Sequence, residues 1–273
     1  EHERREVEGR WLTRRDLLLP GSLPHGYHTL HVALDGGASE TCALVVAPLA
    51  CHEPKVLHDG GRLWGVAVQL YTLRSGQNWG IGDFADLAAV VRGCAEQGAA
   101  FVGLNPLHAL FPGNPWQFSP YSPSSRHFLN VLYIAIEHVA EFGHCAEAQA
   151  TVRAADFQAE LARLRATPCV DYPGVAQAKL RILRLLHAHF RRDKSAQMSA
   201  RAERFQAYCA ERGESLRRHA LHDAIDEHMR AVDDHRYWGW PMWPEELSEP
   251  TLPGVQAFEQ AHAGLVEFHA WLQ

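Results

Sequence analysis

The sequence lacks the features that most quickly assign a chain to a membrane, a metal or a nucleic acid. It has no apolar run near the ~20 residues needed to span a bilayer, so no transmembrane helix is expected. Its six cysteines are scattered, without a CxxC pair or a regular framework. Most have apolar neighbours, which predicts reduced, buried thiols and a cytoplasmic protein rather than a disulfide scaffold. No signal peptide is visible. Among eighteen histidines there is no HExxH, because His2-Glu3 and His52-Glu53 lack the second histidine. His219 and His222 share a helix face, as His262 and His269 do more loosely, but no cysteine or carboxylate pattern completes a site, and no metal is expected. Lysine and arginine number 26 against 32 acidic residues, a net charge of −6, which disfavours a nucleic-acid partner. Basic pairs such as Arg191-Arg192 and Arg217-Arg218 read as solvated helix faces. No internal repeat is present.

What the chain does have is concentrated between Trp64 and Tyr133. Two short apolar runs, Val66 to Leu70 and Phe101 to Leu104, bracket an amphipathic helix. Asp83 is its N-cap, and Asp86 favours the positive end of the helix dipole. Phe84, Leu87, Val91 and Cys94 recur at helical spacing and predict one buried stripe. Gly98 follows the last turn, where a left-handed residue closes many helices. Both runs are apolar at consecutive positions, the pattern of parallel strands covered on both faces. A right-handed crossover would set both strand ends and their loops on one face. This is a β-α-β unit, the start of an α/β barrel or part of an open doubly wound sheet.

The flanking regions differ. Up to about Ala50, apolar residues alternate (Tyr27, Leu30, Val32, Leu34, then Cys42, Leu44, Val46) around Asp35-Gly36-Gly37, which predicts a hairpin with one face buried. Pro48, Pro54 and Gly60-Gly61 mark a linker. Beyond about Phe142 the spacing is helical. One stripe contains Phe157, Leu161 and Leu164, a second Val175, Ile182, Leu186 and Phe190, a third Leu221, Ile225 and Val232. Gly213 and the stretch from Pro241 to Pro253 punctuate these helices. The organisation expected is multi-domain α/β: a β-rich domain over 1–55, a β-α-β unit over 56–142 and a helical subdomain over 143–273.

The segments LYTLRSGQNWGIGDF, GLNPLHALFP and SPYSPSSRHFLNVLYI resemble the 4-α-glucanotransferases, also called amylomaltases or disproportionating enzymes, of glycoside hydrolase family 77 in the α-amylase clan. The resemblance continues in VDYPGVAQAKLRILRLL, RRHALHDAIDEH and WGWPMWPEEL, and upstream in LPHGYHTL, so it covers nearly the whole chain. Several motifs in order are far more specific than one. The chain departs from the family at Ala135, where an aspartate is usual, and at His127 and Val131, which replace Arg and Pro.

The resemblance implies a small N-terminal β-domain, then the first two strands of a (β/α)8 barrel, then a largely α-helical insertion. It makes about 130 helical residues after the second strand an expected feature, where ordinary barrel connections span a few residues. It also implies that the nucleophilic Asp, the acid/base Glu and the stabilising Asp lie on later strands. The chain starts at Glu1 without methionine and stops in a helix, Leu265 to Leu272, so a fragment of a longer enzyme is expected. Retaining glycoside chemistry needs two carboxyls about 5 Å apart. Asp83 and Asp86 both sit at a helix start, and none follows the second strand before Glu137, so no catalytic residue is expected here.

A glucan site needs aromatic platforms and hydrogen-bonding groups on rigid loops. The second loop supplies His108, Trp116, Ser119, Tyr121, Ser122 and Arg126. Tyr121 lies between Pro120 and Ser122-Pro123, which restrict the backbone and pre-set its position; by resemblance it stacks on the sugar beside the cleaved bond. Asn105 either bonds a sugar hydroxyl or ties down its own loop. Asp83 reads as a cap and Trp79 as a packing anchor, while Trp238, Trp240 and Trp243 read as a clamp before they read as a glucan platform. The substrates implied are maltooligosaccharides and α-1,4-glucans, with no cofactor. A non-catalytic glucan-binding protein is the alternative.

Overall fold

The computed structural model describes residues 3–33, 37, 39–58, 60–193 and 196–273. It divides into two compact units, Glu1–Arg62 and Leu63–Gln273.

The first unit is built from hairpins. β1 (Arg4–Val7) pairs antiparallel with β2 (Arg10–Thr13) through a tight turn at Glu8 and Gly9, both at positive φ. That twist matches the twist of the flanking strands. β3 (Gly26–Ala33) pairs antiparallel with β4 (Ser39–Val46) over eight residues, from Gly26 opposite Val46 to Ala33 opposite Ser39. The expected hairpin is therefore present; Leu34, Asp35 and Gly36 of its turn lie outside the described residues. The expected face is corrected in one respect. Tyr27 is 91% exposed, while Leu30 and Val32 are half-buried. Side chains alternate with period two along a strand, so positions 27 and 30 lie on opposite faces. α1 (Lys55–His58) is a single exposed turn.

In the second unit β5 (Gly65–Val68) and β6 (Phe101–Leu104) pair in parallel, with Gly65 opposite Phe101 and Val68 opposite Leu104. α2 (Phe84–Glu96) connects them. Asp83 and Asp86 form a reciprocal capping box at its start, and Gly98 follows its end at φ 79°. The expected burial is corrected here. Val91 is 45% exposed, no residue of α2 is buried, and Phe101 is 54% exposed. The parallel sheet has two strands, so the apolar side chains that a wider, two-sided sheet would cover stay open to solvent.

A short antiparallel pair, β7 (His108–Ala109) with β8 (Ser125–Leu129), closes the second loop. Among the described residues six α-helices follow: α3 (Ala146–Arg153), α4 (Ala155–Ala166), α5 (Tyr172–Arg192), α6 (Ala196–Asp233), α7 (Pro253–Ala261) and α8 (Ala263–Leu272). Asp171 caps α5 by accepting from the Gly174 amide, and Pro173 occupies its first turn. Gly213 breaks α6 at φ 52° and ψ −136°, outside helical space.

The first two helical stripes become core. Phe157, Leu161 and Leu164 join Val175, Ile182 and Leu186 around Leu70, Trp79, Ile81 and Phe268. The third stripe is corrected at its end: Leu221 and Ile225 are buried, but Val232 is 63% exposed, and the apolar row runs on through Met229, four residues after Ile225. The cysteine expectation is corrected too. All six are free, but only Cys145 is buried; Cys42, Cys51 and Cys169 are exposed, the first two in the N-terminal unit, where none of the described residues is buried.

Candidate functional site

The two loops that follow the parallel strands are held by different means. In the first, Asn105 at the end of β6 reaches across: its Oδ1 accepts from the Leu70 amide at 2.7 Å, and its Nδ2 donates to the Pro106 carbonyl and the Tyr133 hydroxyl. Asn105 is buried, and its amide locks the starts of both loops together. Burial in turn raises the pKa of Tyr133, against the hydrogen bonds from Asn105 and Asn130. Asp83 Oδ1 accepts from the amides of Ala85 and Asp86, and Asp86 Oδ2 accepts from the Asp83 amide and from Asn78 Nδ2. Both carboxylates after the first strand are thus engaged as helix caps. Trp79 is buried against Phe157, its ring edge-on at 5.3 Å, and donates Nε1–H to Glu137 Oε1 at 2.9 Å.

The second loop, residues 105–125, is anchored at both ends and at one point between. Ser124 donates its hydroxyl to the Leu110 carbonyl at 2.7 Å, and its amide bonds the Ala109 carbonyl. Phe118 stacks on Tyr172 of α5 with ring centroids 4.5 Å apart and planes within 7°. Turns at Phe111–Asn114, Asn114–Gln117 and Ser119–Ser122 fold the loop on itself. The outcome is a presented aromatic surface. Trp116 is 72% exposed and Tyr121 70%, with Ser119, Ser122 and Arg126 also exposed. His108 is half-buried in β7 at the base of the loop. Of the residues singled out in the sequence, Trp116, Ser119 and Tyr121 therefore share the outer loop, while Asn105 and His108 lie in its foundation. An indole and a phenol held by proline-restricted backbone can offer flat apolar faces without a large loss of freedom on binding.

Trp238, Trp240 and Trp243 divide. Trp243 is half-buried against the cluster formed by Leu221, Ile225, Val255 and Phe258, whereas Trp238 and Trp240 are more than half exposed. Arg230 fixes the segment by donating to the Trp238 carbonyl and to Asp226 and Asp234.

Two features were not anticipated: the burial of Lys179, and the carboxylate that joins His219 and His222, whose shared helix face was expected. Lys179 is fully buried, donates to the Leu132 and Ile134 carbonyls, and lies 3.8 Å from Asp83 Oδ2. Its position four residues after Val175 and three before Ile182 places it on the apolar face of α5, which was the available signal. On α6, His222 Nδ1 meets Asp223 Oδ1 at 3.1 Å, and His219 Nε2 lies 3.6 Å from Asp223 Oδ2. Burial pushes the Asp223 carboxyl up, but the His222 hydrogen bond and the charges of His219, His222 and His269 outweigh it and hold it below the ordinary range. His219 itself stacks on Phe128 at 4.4 Å. Among the described residues no group of three or more His, Cys, Asp or Glu side chains is placed to hold a metal ion. No described helix is long and apolar enough to cross a membrane.

By architecture this is a mixed α/β chain with a β-rich N-terminal unit and an aromatic loop beyond a parallel strand pair. Residues 68–273 match the family described as 4-alpha-glucanotransferase, and residues 1–48 match the MalQ N-terminal beta sandwich domain. The chain belongs to the 4-alpha-glucanotransferase family. It is 39% identical to the 4-alpha-glucanotransferase of Haemophilus influenzae, over 92% of this chain and 36% of that protein. It is 36% identical to the one from Mycobacterium bovis, over 98% of this chain and 36% of that protein. The crystal structure of amylomaltase from Corynebacterium glutamicum superposes with a TM-score of 0.70 at 30% identity, over 99% of this chain and 34% of that one. The chain thus spans about a third of the length of the relatives it matches.

Proposed function

We propose that this chain forms the donor-side wall of a 4-α-glucanotransferase. The complete enzyme breaks an α-1,4-glucosidic bond, holds the glucosyl segment as an ester on an aspartate, and passes it to the 4-hydroxyl of another glucan. The observation that carries this reading is the exposure of Trp116 and Tyr121 on one pinned loop inside the family-matched segment. In it, Tyr121 stacks on the sugar beside the scissile bond, Trp116 supplies a second platform, and Ser119 and His108 bond hydroxyls. Asn105 serves the site by fixing the loop, since its amide is engaged within the protein.

In the same reading β5, α2 and β6 begin a (β/α)8 barrel, residues 1–55 form the β-domain, and residues 143–273 form an inserted helical subdomain. Barrel active sites are built from the loops beyond the strands' carboxyl ends, where this aromatic loop lies. In this reading, as the family resemblance implies, the catalytic carboxylates lie on later strands; the commitment of Asp83 and Asp86 to capping α2 supports it. Two carboxylates suffice for retaining chemistry, so no cofactor is required.

Incubation of the enzyme with maltotriose tests the proposal. Glucose appearing together with maltooligosaccharides longer than maltotriose supports it. Saturable maltotriose binding with no new products would favour the alternative, a glucan-binding protein without transferase activity.

A further inference from the structure

One buried carboxylate on α6 reaches both ends of the aromatic loop through two histidines. Asp223 lies between two imidazoles: its Oδ1 meets His222 Nδ1 at 3.1 Å, and its Oδ2 lies 3.6 Å from His219 Nε2. Each ring touches an aromatic side chain at one end of the loop. His219 stacks on Phe128 of β8, with ring centroids 4.4 Å apart and planes within 4°. His222 sits tilted beside Phe111, just beyond β7, at 6.5 Å. Between these two contacts the loop comes down on the next turn of α6, where a Cβ on Gly113 would lie 2.8 Å from Asp226 Oδ2. Asp223 also borders a space of about 20 Å³ under the loop, together with Phe111, Pro112, Pro115 and Phe118. A carboxylate this deep adds little net stability, because its desolvation offsets most of what its partners contribute. What it supplies is direction, since a hydrogen bond at one ring nitrogen sets the orientation of an imidazole.

We propose that Asp223 is a positioning residue for the aromatic loop: through the rings of His222 and His219 it fixes Phe111 and Phe128, and thereby the pose in which Trp116 and Tyr121 meet a sugar. Asp223 is buried and touches no sugar itself. Its loss lowers the fraction of molecules whose loop is ready to bind, which weakens apparent affinity by that fraction. Once a sugar is bound the chemical step is unaffected, so KM changes and kcat does not. The proposal rests on the transferase reading for the identity of the ligand. It goes beyond it by placing control of sugar affinity on α6, behind the loop that makes the contact.

The test uses the enzyme carrying Asp223→Asn, which keeps the shape and removes the charge, Phe128→Leu, which removes the stacked ring, and both together. Asp223→Asn is expected to raise KM for maltotriose at least about threefold, with kcat within about twofold. Phe128→Leu leaves the charged cluster intact and should raise KM in the same way. Because both act on one contact, the double variant should raise KM by less than the product of the single effects. Hydrogen exchange in Asp223→Asn should quicken over residues 108–129, from β7 to β8, and stay unchanged in α4 and α5. An unchanged KM in either single variant overturns the proposal and leaves the transferase reading standing. Quicker exchange throughout the helices, with kcat and KM both altered, overturns it as well, since Asp223 would then be a general core residue. If the unaltered enzyme transfers nothing, the transferase reading fails. Quicker exchange confined to residues 108–129 is then the result that upholds the hold of Asp223 on the loop, and unchanged exchange there overturns it.

Discussion

Lys179 Nζ lies 3.8 Å from Asp83 Oδ2, with the lysine side chain wholly buried and the aspartate nearly so. The same ammonium donates to the carbonyls of Leu132 and Ile134 at 2.8 and 2.7 Å. One buried cation therefore ties α5 to the start of α2 and to the segment after β8, the frame on which both loops stand. Burial draws its pKa down to about 8, against the opposing pull of Asp83, Glu137 and Asp86.

Lys179→Met should cost about 3–5 kcal/mol, because it strands a buried carboxylate and two carbonyls. Urea unfolding measures this. Adding Asp83→Asn should recover part of the loss, since asparagine caps a helix without a charge. A loss below about 1 kcal/mol would mean that water replaces the ammonium.

The first-loop frame was legible in part. The cap at Asp83, the glycine stop and the apolar stripes of α4 and α5 follow from local spacing, which a helix converts directly into one face. Lys179 sat in plain view on such a stripe, but its value depends on carbonyls 45 and 47 residues away in sequence. The exposure of Val91, Phe101 and the cysteines was not legible. Residue type indicates what could be buried, whereas burial depends on what packs against it. The aromatic loop could be found from its composition, yet its pin, the Phe118–Tyr172 stack, joins residues that no local pattern links.

His222 sets a pH dependence of stability. Burial lowers its pKa, but the Asp223 hydrogen bond and charge more than offset this and raise it above 6.5. A raised folded pKa adds stability that is complete below the unfolded value and is lost as pH rises through the folded one. His222→Gln should therefore lower Tm more at about pH 5.5 than at about pH 8.5. Equal losses at both pH values would contradict the His222–Asp223 pairing.

Gly80 and Gly82 leave no room for a side chain. A Cβ at Gly82 would sit 2.0 Å from the Leu70 carbonyl oxygen, and one at Gly80, at φ 84°, would sit 2.8 Å from Leu164. Each alanine substitution should cost at least about 2 kcal/mol, through a clash with backbone in the first and left-handed strain plus crowding in the second. Chemical denaturation of each variant is the check, and a neutral Gly82→Ala would show that the first loop can move away from Leu70.

Among the described residues, one edge of β5 and one of β6 have no ladder partner, beside exposed Trp64, Val66, Phe101 and Leu104. Unpaired apolar edges template further pairing. Residues 1–273 expressed alone should self-associate as concentration rises, and Phe101→Lys should reduce this. Sedimentation velocity across a dilution series tests it; a monomer at every concentration would contradict it.

The proposed hold of the pinned aromatic loop on the donor sugar is tested most directly by kcat/KM for maltotriose disproportionation by the enzyme carrying Tyr121→Ala. If the stacking face and not the hydroxyl of Tyr121 binds the sugar, as proposed, a loss of at least about tenfold with an unchanged melting temperature is expected, with near-normal activity in Tyr121→Phe. Tyr121→Ala with activity within about twofold of the unaltered enzyme would contradict it.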